Sequence, residues 1–105
     1  MKDKDALRIT DQHRGKHGMV YDLKREDVRL SLTMAQKALD GAVEWEIEAR
    51  AGRAPEALVV AGRGATRRDA LLRVGESWAR EATEHRLPPF DWEEVARALD
   101  AVRAL

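Results

Sequence analysis

A chain of 105 residues with 44% apolar and 36% charged side chains has the makings of one folded domain and little room for a second. Nineteen basic residues balance nineteen acidic ones, which excludes an overall field drawing the protein to nucleic acid or to an anionic membrane. There is no cysteine, and that removes disulfides, thiolate zinc sites and a cysteine nucleophile together.

A reduced compartment fits such a composition. Met1 to Asp5 lack the apolar core of a secretion signal, and no stretch approaches the ~20 apolar residues that span a bilayer. The expected location is the cytoplasm, with no membrane contact.

Residues 1–18 are polar, with Leu7 and Ile9 as the only apolar anchors and glycines at 15 and 18, and are expected to form a flexible polar arm able to order on a partner. His13 and His17 stand four apart, the ligand spacing of a helix. Gly15 and Gly18 argue against a helix there, so no metal site is assigned. The remainder, 19–105, reads as a single α+β domain. Met19, Tyr21 and Leu23 alternate with Val20, Asp22 and Lys24, which suits a short strand or the lead-in to a sheet.

From Val28 the alternation is regular, and a strand is expected over about 28–38, although Val28, Leu32, Ala35 and Leu39 also fit helical spacing. Register arbitrates between the two. The run Ala42-Val43-Glu44-Trp45-Glu46-Ile47-Glu48-Ala49 alternates apolar and acidic residues and marks a strand over about 43–50 with one buried and one wet face. A two-residue turn at Asp40-Gly41 would set Leu39 against Ala42, Lys37 against Glu44, Met34 against Ile47 and Leu32 against Ala49, matching apolar with apolar. A slip of one residue would undo every match.

Ala51 to Pro55 reads as a turn, and 57–61 as the best protected strand because Ala57 to Ala61 are apolar on both faces. Gly62-Arg63-Gly64 then punctuates the chain, and Thr66 is placed as the N-cap of a helix over about 67–84. Its inward stripe is Leu71, Val74, Trp78 and Ala82, and Gly75 within it implies close contact with a neighbouring helix or backbone. His85 and Arg86 suit the negative end of that helix, and Leu87 before Pro88-Pro89 should end it. A last helix, about 92–104, opens on Asp91 as N-cap with Glu94 three residues on and a Phe90–Val95 staple, and buries Trp92, Val95, Leu99 and Val102. The fold class is therefore α+β: an antiparallel meander of three strands, or four, followed by two helices on one face.

Gly62 to Arg68 is the one segment suited to ligand chemistry. A helix N-terminus offers free amides, glycines permit close approach, and Arg63, Arg67 and Arg68 make candidate anion contacts. The segment lacks the Walker lysine and the third glycine of a dinucleotide fingerprint, so an ordinary turn bearing surface arginines is the plainer reading. Glu44, Glu46 and Glu48 line one strand face and are candidate contacts for a protein partner, with a solvated face as the plainer reading. Trp92, in the first turn of its helix, is a further candidate contact if partly exposed. Ser31 and Ser77 lack a nucleophile motif, and no catalytic constellation, cofactor motif or metal-ligand set emerges.

The eight residues Gly64 to Leu71 resemble the strand-to-helix junction Gly-x-Thr-x-x-acidic-Ala-Leu of HicB-type antitoxin domains. Val59-Val60-Ala61 stands where that family usually carries a Pro/Gly-bearing strand, and no site is carried over from it. The resulting expectation is a small, non-enzymatic protein-interaction or regulatory module. The alternative is a weak binder of anions or nucleic acid through Arg63, Arg67 and Arg68, and homodimerisation through the edge strand or the helix stripes is a third reading.

Overall fold

A computed structural model describes residues 7–25, 28–51, 57–85 and 90–103. The turn expected beyond Ala51, and the helix stop at Arg86 to Pro89, lie outside the described residues. Seven elements follow one another: β1 (Arg8–Arg14), β2 (Met19–Arg25), β3 (Val28–Leu39), β4 (Ala42–Ala51), β5 (Leu58–Gly64), α1 (Arg67–Glu81) and α2 (Trp92–Arg103). The five strands form one antiparallel sheet in the order of the chain, β1-β2-β3-β4-β5, so every connection joins neighbours.

The β3–β4 hairpin fixes the register of the sheet. Asp40 and Gly41 both take positive φ, 51° and 82°, the left-handed pair that a two-residue turn requires to follow strand twist. Leu39 then faces Ala42, Lys37 faces Glu44, Met34 faces Ile47 and Leu32 faces Ala49, as the alternation predicts. Inward positions continue across the sheet as Leu23 beside Leu30, Ala49 beside Val60 and Ala51 beside Leu58. With Leu71, Val74, Trp78, Val95 and Leu99 from the helices they make one buried cluster, so both helices roof the same face.

The sheet has five strands where three or four were expected, because residues 8–14 pair with β2 instead of forming a loose arm. An edge strand needs backbone pairing more than apolar side chains, and β1 is exposed at every position but Ile9. The alternation is broken as well: register shifts between Ile9 and Asp11, leaving Thr10 as a bulge whose hydroxyl donates to the Asp22 carbonyl at 3.2 Å.

At the other edge the structure reverses an expectation. The strand expected at 57–61 continues to Gly64, and it borders the sheet on the far side, with Val59 41% exposed. The best protected strand is thus not this one. Gly62 and Gly64 are inward strand positions on which α1 lies backbone to backbone. A methyl group at Gly62 would stand 2.7 Å from the Ala70 carbonyl and the Val74 amide, and one at Gly64 would stand 2.7 Å from Asp69 Cβ. These glycines serve helix packing.

Helix α1 starts as expected, with Thr66 extended and its hydroxyl accepting from the Asp69 amide at 3.0 Å. It ends at Glu81, earlier than the expected 84, with the His85 ring donating from Nδ1 to the Glu81 carbonyl at 3.1 Å. In α2 the Asp91 carboxylate accepts from the Glu93 amide at 3.0 Å. Trp92 packs on Gly75 and edge-on against Trp78, ring centroids 5.9 Å apart. Gly75→Ala should therefore lower the melting temperature. The ~1 kcal/mol of helix propensity gained is outweighed by about 1–3 kcal/mol of overpacking against the Trp92 ring, which would lie 2.7 Å from the new methyl. A raised melting temperature would contradict this packing.

Candidate interaction surface

Both helices occupy one face of the sheet, so among the described residues the other face is left to side chains alone. The half of it toward β5 is built by alternate residues of three strands: Ser31, Thr33, Ala35 and Lys37 on β3, Glu44, Glu46, Glu48 and Arg50 on β4, and Val59, Ala61 and Arg63 on β5. Cross-strand pairing sets Ala35 and Arg63 on either side of Glu46, and Thr33 and Ala61 on either side of Glu48. Thr33, Ala35 and Ala61 are small and leave low ground on either side of the charged β4 row.

Glu44, Glu46 and Glu48 share this face as expected, but they do not form an acidic field. Glu46 accepts from Lys37 Nζ and from Arg63 Nε, each at 3.0 Å, and Glu48 lies 3.9 Å from Arg50. Lys37 stands opposite Glu44 in the register, yet its ammonium reaches diagonally to Glu46. The Lys37 hydrogen bond and charge, reinforced by Arg63 against some loss of hydration, hold the Glu46 carboxyl below its ordinary 4.5. A folded-state value below the unfolded one means that stabilisation is complete above pH 4.5 and is lost as pH falls through the lowered value. The stability difference between wild type and Glu46→Gln should accordingly be present near neutrality and vanish under acid denaturation; a difference that grows on acidification would contradict the assignment.

The three arginines proposed as anion contacts are separated in the structure. Arg63 extends over the outer face to Glu46, while Arg67 and Arg68, at the start of α1, reach Asp100 and Glu93 on α2. Each guanidinium has a carboxylate of the protein itself, and the unfavourable placement of two arginines at a helix N-terminus is offset by acids from the next helix. Gly62 and Gly64, which would let a phosphate approach, are covered by α1. Trp92, a candidate contact if partly exposed, is 7% exposed, packed on Gly75 and edge-on against Trp78.

Two groupings lie outside the residues nominated from the sequence. Asp11 and Asp22 are directly paired across β1 and β2, and one ligand atom from each falls within 4.8 Å of the other and of His13. Two carboxylates and an imidazole can ligate a divalent ion, but the same contact has a simpler use. The 2.9 Å approach of His13 Nδ1 to Asp11 eases the repulsion between two acids facing each other on a strand pair. Finding this group required the β1–β2 register. The second grouping lies where α1 overhangs the β5 edge: Arg73, Glu76, Ser77 and Arg80 border a groove with Ala61, Gly62 and Arg63. The signal in the sequence was a helical row at steps of three and four on the side of α1 away from its apolar stripe.

No helix among the described residues is long and apolar enough to cross a membrane. No protein-family model, curated protein or solved structure matches the chain.

Proposed function

We propose that the chain is a small non-enzymatic protein-interaction module that meets its partner with the helix-free face of the sheet and the border formed by β5. The observation that supports this reading is the uncovered face itself. It is a broad surface on which a row of largely paired charges on β4 runs between the small residues Thr33, Ala35 and Ala61, with an exposed apolar side chain, Val59, toward one edge. A patch of that make-up suits a polar-rimmed protein contact. The runner-up, an anion or nucleic-acid binder, would use Arg63, Arg67 and Arg68, whose carboxylate partners would have to be displaced first.

Affinity capture from cell extract with wild type and with a Thr33→Arg, Glu48→Lys double variant tests the reading. The same titration should be run with labelled RNA and DNA at low and moderate salt. A discrete protein retained by wild type and reduced at least tenfold by the variant is the expected result, with no salt-dependent nucleic-acid binding at tens of micromolar. Identical capture by both forms, or salt-dependent retention of nucleic acid that disappears on reversing Arg67 and Arg68, would overturn it.

A further inference from the structure

Strand β5 pairs with β4 on one side, and among the described residues nothing pairs with its other side. Alternate residues of such a strand direct N–H and C=O groups outward, which is a template for another strand. The two edges of this sheet are not equivalent. β1 carries a bulge and the charged or polar residues Arg8, Asp11, Gln12, His13 and Arg14, devices that discourage added strands. β5 is regular, has no proline, and holds a single charge, Arg63.

Above the free edge runs the side of α1 that bears Arg73, Glu76, Ser77 and Arg80, and Glu46 closes the groove from β4 with its charge met by Lys37 and Arg63. These arginines differ from those nominated by the sequence. Arg63, Arg67 and Arg68 each hold a carboxylate, whereas Arg73 has no ion-pair partner among the described residues and Arg80 contacts only the Ser77 hydroxyl, at 3.3 Å. The groove thus joins an unpaired strand to uncommitted guanidinium groups.

We infer that this groove takes an extended, acidic peptide segment, added to β5 as a sixth strand beneath α1, with Arg73 and Arg80 contacting its carboxylates. Main-chain pairing supplies attachment, and alternate side chains of the segment point up to the arginines or down past Val59. The inference rests on the interaction-module reading and names the partner's chemistry. A second copy of this chain is a poorer occupant, because antiparallel pairing of β5 with β5 would bring the Arg73 and Arg80 of one copy beside those of the other.

The probes are fluorescein-labelled, end-blocked octapeptides of alternating valine and glutamate, their valine–lysine counterparts, and a valine–glutamate peptide N-methylated at alternate positions. Anisotropy should show the glutamate peptide binding, the lysine and N-methylated peptides failing, and Arg73→Glu with Arg80→Glu weakening binding at least tenfold without moving the melting temperature. Amide exchange should show added protection at residues 58–64 when the glutamate peptide is bound. Equal binding of lysine and glutamate peptides, protection on β1 instead, or self-association that protects β5 before peptide is added would each overturn the inference. If no octapeptide binds while the outer-face variant still loses its captured protein, the groove assignment fails and the module reading stands. Failure of both experiments removes both.

Discussion

Gly62→Ala is expected to cost about 1–3 kcal/mol by overpacking, more than a methyl group on a terminal strand would suggest. The added carbon would stand 2.7 Å from the Ala70 carbonyl and the Val74 amide, both parts of the α1 backbone, and a helix backbone cannot turn aside as a side chain can. At roughly 4–8 °C per kcal/mol for a domain of this size, thermal unfolding monitored by circular dichroism will resolve the loss. Ala61→Ser, one residue earlier on the opposite face of the same strand, is the control and should melt within a few degrees of wild type. An unperturbed Gly62→Ala would mean that α1 does not rest on β5, and the groove beside it would then have no roof.

Trp78→Ala should be the most damaging single change, at about 3–5 kcal/mol, a large share of a typical domain's net stability. Trp78 is 1% exposed and joins the two helices, with Phe90 edge-on at 5.4 Å and Trp92 at 5.9 Å. Such edge contacts add about 0.5–1.5 kcal/mol to the burial itself. Urea unfolding should show the midpoint collapse together with the near-ultraviolet aromatic signal. Retention of both would show that α2 is held by other contacts, with the pairs Arg67–Asp100 and Arg68–Glu93 as the remaining candidates.

What the sequence disclosed was wherever side-chain pattern and local turn chemistry agree. The Asp40-Gly41 turn together with the match of Met34 to Ile47 and Leu32 to Ala49 leaves one register, and that register is found. Thr66, Asp91 and the Leu71, Val74, Trp78 stripe are likewise local signals, and Gly75 marks a close helix contact whose partner in the structure is Trp92. Edges were harder. β1 is held by its backbone, so its side chains carry no period, and β5 reads as the best protected strand because Val59 and Ala61 are apolar on the face that the helices do not cover.

The candidate site was legible in its residue types and not in its groupings. The acidic row falls on one face, but that Glu46 is shared by Lys37 and Arg63 depends on the diagonal reach of Lys37 and on the β4–β5 register that sets Arg63 opposite. Arginine density near Gly62 drew attention to the strand-to-helix turn. The structure moves the uncommitted charge one helix face away, to Arg73 and Arg80, because Glu93 and Asp100 arrive from a distant part of the chain. Long-range neutralisation of this kind leaves no mark on local sequence.

Residue-resolved amide hydrogen exchange of the free protein, repeated over a concentration series, tests most directly whether the border at β5 is open. Slow exchange throughout the paired parts of β3 and β4, with alternating slow and fast amides along residues 58–64 at every concentration, is the predicted result. Uniform protection along 58–64 would contradict the account, since the edge would then already be covered.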